Sequence, residues 1–133
     1  MSESDPEAAM RGAFETIGEE GVCRLVAAFY RQVPEDEILG PMYPKGDLTA
    51  AETRLREFLL FRWGGRPGYI ERRGHPKLRL RHAPFAVNMA ARNRWVTLMD
   101  RAFETLAFPA EAEAPLKAFL HATATFLVNR PVA

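Results

Sequence analysis

Apolar residues recur at helical spacing in separate segments of this chain, and prolines or glycines interrupt the spacing between them. The first stripe stops at Pro34, and the second, which Asp47 can cap, stops at Gly64 and Gly65. Pro109 closes the third stripe, and a fourth follows it. Spacing of three and four residues places apolar side chains on one face of a helix, so the chain is predicted to be all-α.

The length of 133 residues predicts a single domain over residues 1–133, with residues 1–12 expected to form a loosely ordered N-terminal extension. Hydrophobic residues make up 47% and charged residues 26%, which is typical of a globular protein. A lone cysteine, Cys23, excludes an internal disulfide framework and fits a reducing compartment.

The net charge of +1 does not favour a nucleic-acid partner, although residues 62–81 are rich in arginine. A solvated basic face is the simpler interpretation of that stretch. No apolar run has the length of a membrane span, and the acidic start lacks the features of a signal peptide. The prediction is a protein of the cytoplasm without a membrane partner.

The stretch "HPKLRLRHAPF" holds two of the three histidines and predicts a short helical piece around residues 75–83. Pro76 fits the first turn of a helix, and Pro84 disfavours helical geometry in the residue before it. Seven residues are about two turns, so His75 and His82 lie on one face, about 10 Å apart along the axis. That separation is too large for both to bind one metal ion directly.

A zinc site would need three or four ligands at fixed spacings, and the chain contains neither HExxH nor CxxC. One imidazole is enough for a haem, because the porphyrin supplies four nitrogens. The simpler alternative is a helix-terminal histidine that bonds water or a carbonyl, and this stretch alone favours that alternative.

The segments "LVAAFYRQVPEDEILGPMYP", "LREFLLFRWGG", "GHPKLRLRHAPF" and "RNRWVTLMDRAF" occur in this order over nearly the whole chain, about residues 14 to 130. Together they closely resemble the truncated haemoglobins, specifically the second group, or O-type branch. The resemblance implies a truncated globin fold, a two-over-two helical sandwich around a haem b (iron protoporphyrin IX). One departure is "TIGEEG", where that family has a paired glycine, so the turn after Ile17 is expected to differ.

The resemblance implies a role for single residues of this chain. His82 corresponds to the proximal iron ligand, and Tyr30, Tyr43 and Trp95 correspond to the polar aromatic residues of the gas-binding side. Each of the three combines an apolar body with one hydrogen-bond donor, and each is also a plausible core residue. Ala51 aligns with the position where larger globins place a distal histidine, so the aromatic residues would supply the distal polarity.

Further haem contacts are predicted on the same basis. The apolar ones are Leu55, Phe58, Leu59, Leu78 and Met99. Arginine pairs well with carboxylates, so Arg54 and Arg81 are the predicted partners of the haem propionates, with Tyr69 as a weaker third.

The function implied is reversible binding of dioxygen at ferrous iron, for transport or storage, with carbon monoxide, nitric oxide or peroxide as further ligands. The alternative is a haem enzyme with peroxidase-like or nitric-oxide dioxygenase chemistry. Because no flavin or nicotinamide motif is present, such an enzyme would need an external reductase. A homodimer fits either function, and a haem-free helical interaction module is the third hypothesis.

Overall fold

The computed structural model describes residues 5–43, 46–65 and 87–129. The described residues contain four α-helices and no β-strand, which confirms the all-α prediction for this part of the chain. None of these helices is long and apolar enough to cross a bilayer. The helices are α1 (Pro6–Gln32), α2 (Leu48–Gly64), α3 (Met89–Leu106) and α4 (Ala110–Phe126), and two short 3-10 turns, Val33–Glu35 and Gly40–Met42, lie between α1 and α2.

Helix α1 begins earlier than the sequence predicted. The carboxylate of Asp5 accepts a hydrogen bond from the backbone N–H of Glu7 at 3.0 Å and so caps the first turn. The Glu7 carboxylate pairs with both terminal nitrogens of Arg62 on α2, at 2.6 and 3.0 Å. Met10 is buried. The prediction of a loosely ordered extension over residues 1–12 is therefore wrong from residue 6 onward, because this first turn is capped and anchored on α2.

Gly18 breaks the helical geometry inside α1. Its backbone angles are φ 70° and ψ 179°, a combination open to glycine and to almost no other residue. This is the turn after Ile17 that the sequence singled out. Three residues later, a Cβ on Gly21 would lie 2.7 Å from the Cβ of Ile17, so the chain folds tightly around the break.

The core is centred on the second half of α1. Val22, Leu25, Val26 and Phe29 have no exposed surface, and they follow the spacing of three and four residues that the sequence shows. Helix α1 packs against α2, α3 and α4, and α3 packs against α4. This one helix therefore determines where the side chains near its C-terminal end, Tyr30 among them, lie relative to the rest of the molecule.

The ends of the helices follow the sequence in part. Gly65 takes the left-handed conformation, φ 71°, that terminates α2, as predicted. Helix α3 ends before Pro109, because Ala107 adopts a left-handed φ of 52°. Asp47 occupies the position before α2, but its side chain does not cap the helix. Its carboxylate instead accepts a hydrogen bond from Arg54 at 3.0 Å.

Replacing Gly18 by alanine is expected to destabilise the protein by about 1–3 kcal/mol, because alanine cannot adopt this backbone conformation without strain. The control is Gly12→Ala, at a helical position of α1 where an added Cβ meets no atom within 4 Å. That substitution should be neutral or stabilise by about 0.5–1 kcal/mol, the difference in helix propensity. Urea unfolding followed by circular dichroism measures both, and equal effects would contradict the break at Gly18.

Candidate functional site: a cluster of aromatic donors

Tyr30 lies in the last turns of α1, and only 9% of its surface is exposed. Its ring meets that of Tyr43 edge-on, with centroids 5.8 Å apart and planes at 81°. Tyr43 follows the 3-10 turn Gly40–Met42 and packs against the core. Two of the three predicted distal donors, one on α1 and one after the second 3-10 turn, are therefore in direct contact.

Burial raises the pKa of the Tyr30 hydroxyl far above its usual value, and the neighbouring Tyr43 adds to the effect. Burial likewise raises the pKa of Tyr43, although the bond from Tyr30 and the charge of Arg54 oppose this. Both phenols therefore keep their protons at any ordinary pH. A protonated phenol can donate a hydrogen bond, whereas a phenolate can only accept one.

Phe29 connects Tyr30 to Trp95. Its ring centroid lies 4.9 Å from that of Tyr30, edge-on, and 5.2 Å from that of Trp95, tilted by 52°. The ring of Phe29 has no exposed surface, whereas Trp95 is half-buried on α3. The sequence showed Phe29 only as part of the α1 stripe, and its helical spacing carries no sign that it joins two donors.

The predicted haem-side residues on α2 differ in their burial and in the residues that they contact. Ala51 is 4% exposed and Leu55 is half-buried against the core. Leu59 is fully enclosed by protein. Phe58 stacks on Phe119 of α4, with ring centroids 6.5 Å apart and planes at 28°. A haem-contact role for Leu59 and Phe58 stays a prediction, because the structure shows both engaged in helix packing.

Met99 and Arg54 also have protein partners. Met99 has no exposed surface and belongs to the core around α3. The guanidinium of Arg54 is bonded to Asp47, and its side chain is 44% exposed. Its positive charge lowers the pKa of both Tyr30 and Tyr43, although burial outweighs this effect. Arg54 therefore acts electrostatically on the tyrosine pair, and its pairing with a propionate stays a prediction.

Four of the predicted site residues, Tyr69, Leu78, Arg81 and His82, lie outside the described residues, as does the predicted helical piece at 75–83. Within the ranges that are described, no group of three or more histidine, cysteine or acidic side chains is placed to hold a metal ion. His121 on α4 is half-buried, and its Nε2 lies 2.7 Å from the Asp100 carboxylate.

The chemistry of the described residues fits the gas-binding face of a haem. A small diatomic ligand that carries partial negative charge is stabilised by neutral donors in surroundings without water. Tyr30 and Tyr43 are such donors, since burial holds both in the protonated form. Ala51, the small residue at the start of α2, adds no competing charge or bulk.

Comparisons with known proteins agree with this geometry. A family model described as bacterial-like globin matches residues 12–129. The group 2 truncated haemoglobin YjbI of Bacillus subtilis is 36% identical over 117 residues, which are 88% of this chain and 88% of the relative. The matched range of the family model includes every residue predicted for the site.

Solved structures give the same result. The thermostable haemoglobin of the actinobacterium Thermobifida fusca is 46% identical and has a TM-score of 0.86, covering 90% of this chain and 98% of that one. The truncated oxygen-avid haemoglobin of Bacillus subtilis is 36% identical with a TM-score of 0.82, covering 88% of this chain and 98% of that one. The four-helix arrangement is thus shared over almost its entire length.

The raised pKa of Tyr30 predicts a loss of stability in alkali. A tyrosine in the unfolded chain ionises near about pH 10, whereas folded Tyr30 stays neutral. The contribution of Tyr30 to the free energy of unfolding is fully present below about pH 10. Above that pH it falls by about 1.4 kcal/mol per pH unit, until the raised pKa of folded Tyr30 is reached. The free energy of unfolding between pH 10 and pH 11.5 should fall less steeply in Tyr30→Phe. Identical slopes would show that Tyr30 ionises normally.

Proposed function

The chain belongs to the group 2 truncated haemoglobins of the bacterial-like globin family, and on that premise we propose that it binds dioxygen reversibly at a haem b. The family is one of globin-type haem proteins with a two-over-two helical fold, which confirms the fold class predicted from the sequence. The contact between buried Tyr30 and partly buried Tyr43, both protonated, carries the proposal, because neutral donors stabilise the partial negative charge of an iron-bound gas ligand. A similar protein of Bacillus subtilis, described as oxygen-avid, supports it.

When bound, the haem would supply an iron atom with one free face for a diatomic gas. His82 would hold it from the proximal side through a neutral imidazole nitrogen. Arg54 and Arg81 would pair with the propionates, with Tyr69 as a weaker partner. The apolar contacts would come from Leu55, Phe58, Leu59, Leu78 and Met99.

The distal residues would act as hydrogen-bond donors. Tyr30 and Tyr43 keep their protons because burial disfavours the phenolate. Tyr30 directs its O–H to Tyr43, so the Tyr43 hydroxyl keeps its own O–H for a ligand. Trp95 would add its indole N–H, which has no acceptor function. Phe29 packs between the rings of Tyr30 and Trp95 and has no exposed surface. Donors in a dry environment give stronger hydrogen bonds, so the ligand would leave slowly.

The remaining expectations stay predictions drawn from the sequence. They are a cytoplasmic location, a homodimer, and a role in oxygen transport or storage. Peroxidase-like or nitric-oxide dioxygenase chemistry, with an external reductase, is the enzymatic alternative. Carbon monoxide, nitric oxide and peroxide are the further ligands expected.

Haem ligation is tested by the visible spectrum of the reduced protein before and after carbon monoxide is added. The unaltered protein should show a porphyrin band that shifts on binding, and His82→Ala should lose this normal ligation. His121→Ala is the matched control, because the Nε2 of His121 already has the Asp100 carboxylate as its partner at 2.7 Å. A protein that stays colourless after hemin is supplied, or whose spectrum is indifferent to losing His82, would refute the proposal.

The distal donors are tested by the rate of dioxygen release after rapid mixing with dithionite. Tyr30→Phe and Trp95→Phe should each release dioxygen about twofold to tenfold faster, the effect of one lost hydrogen bond. Trp63→Phe is the control for the tryptophan, since the ring of Trp63 on α2 packs edge-on against that of Phe119 on α4, with centroids 6.0 Å apart. Equal rates in Trp95→Phe and Trp63→Phe would exclude Trp95 as a donor to the ligand.

A further inference from the structure

The loop that carries Tyr43 is organised around Asp36. One oxygen of its carboxylate accepts hydrogen bonds from the backbone N–H groups of Ile38 at 3.0 Å and Leu39 at 2.8 Å. The backbone carbonyl of Asp36 accepts from Gly40 at 3.0 Å, and that of Gly40 accepts from Tyr43 at 3.3 Å. An unbroken series of hydrogen bonds therefore runs from Asp36 to Tyr43.

The other carboxylate oxygen of Asp36 accepts a hydrogen bond from Arg94 of α3. The Asp36 side chain is 6% exposed and that of Arg94 is 37% exposed, so the pair is shielded from water on one side. Burial raises the pKa of Asp36, but the bonds from Leu39, Arg94 and Ile38 outweigh it and hold the pKa below its usual value. Asp36 is therefore charged when it binds Arg94.

Arg94 immediately precedes Trp95 in α3, so the Asp36–Arg94 ion pair completes a closed series of contacts that includes all three predicted donors. Trp95 contacts Phe29, which contacts Tyr30, and Tyr30 contacts Tyr43. Tyr43 is joined by its loop to Asp36, which returns to α3 through Arg94. Tyr43 is thus constrained from two directions, by ring packing on Tyr30 and by the loop that Asp36 ties to Arg94.

We propose that the Asp36–Arg94 ion pair positions Tyr43 relative to Trp95 and thereby sets the strength with which the distal donors hold a ligand. The consequence for the ligand rests on the proposed function, whereas the tie between loop and α3 does not. Neither residue touches the ligand, so both are positioning residues. Without Arg94, the nearly buried carboxylate of Asp36 would keep only backbone donors. Opening of the loop would then be favoured, because water would solvate the charge of that carboxylate.

Other contacts hold the same loop, and they make the test selective. Leu39 is 3% exposed, and a Cβ on Gly40 would lie 3.1 Å from the carbonyl oxygen of Val33, so the loop packs closely on its own backbone. The amide of Gln32 donates to the carbonyl of Leu98 at 2.9 Å and fixes α1 on α3 independently. Losing Arg94 should therefore shift the loop without unfolding the helices.

The experiment compares Arg94→Met, which keeps the aliphatic stem and removes the charge, with Arg94→Lys, which restores the charge. Lys117→Met is the control, because it removes the Lys117–Glu113 ion pair on α4. Amide hydrogen exchange is measured at Gly40 and Tyr43 in each purified protein. Dioxygen release is measured in each variant and again in the Tyr43→Phe background.

Arg94→Met should speed exchange at Gly40 and Tyr43 about tenfold and leave α4 unchanged, as expected of a local opening. It should also speed dioxygen release about threefold to tenfold, and this effect should vanish in Tyr43→Phe, because both changes act through the same hydroxyl. Arg94→Lys should recover most of both effects, and Lys117→Met should produce neither.

Unchanged exchange in Arg94→Met would overturn the proposal, and so would an effect on dioxygen release that persists in full without the Tyr43 hydroxyl. A protein that takes up no haem would contradict the proposed function instead. The exchange measurement would still decide in that case whether Arg94 holds the loop, so the two failures are distinguishable.

Discussion

The contact of Phe29 with both Tyr30 and Trp95 is the interaction on which the candidate site depends. Phe29 has no exposed surface, so its ring cannot move without opening the core between α1 and α3. Aromatic pairs in this geometry add stability beyond the area they bury. The apolar side chain of Phe29 therefore determines the positions of two aromatic donors, Tyr30 and Trp95.

Placing two phenols in this core has a cost. A hydroxyl that leaves water must find a partner or lose the free energy of its hydrogen bonds with water. Tyr30 and Tyr43 meet this cost by lying against each other and by staying neutral. The same burial that costs stability makes each donor more effective, because a low dielectric strengthens the bond it gives. Under the proposed function, ligand binding and stability are therefore opposed at the tyrosine pair.

The sequence predicted those helix ends that depend on the backbone preference of a single glycine or proline. Gly65 ends α2 because glycine tolerates the left-handed conformation, and α1 gives way to a 3-10 turn just before Pro34. The aromatic donors were predicted from a family resemblance, and the structure adds that Tyr30 and Tyr43 touch. Phe29 could not be recognised as their link, because spacing along one helix does not reveal its neighbours on another.

Predictions failed or were absent where a charged side chain pairs with a residue more than one helical turn away. Asp47 has the right type and place to cap α2, yet its carboxylate pairs with Arg54. The bond from Arg94 to Asp36 spans 58 residues, and no periodicity in the sequence indicates it. Asp5 and Glu7 order the start of α1 through a cap and an ion pair with α2, so an acidic segment that looked loose is helical.

The break at Gly18 separates two parts of α1 that would otherwise share one rotational register. In a continuous helix, each added or deleted residue rotates the side chains after it by about 100° about the helix axis, relative to the side chains before it. The non-helical backbone at Gly18 breaks this rotational coupling between the two parts of α1. The segment before it can therefore gain or lose residues in the course of evolution while Phe29 and Tyr30 keep their orientation.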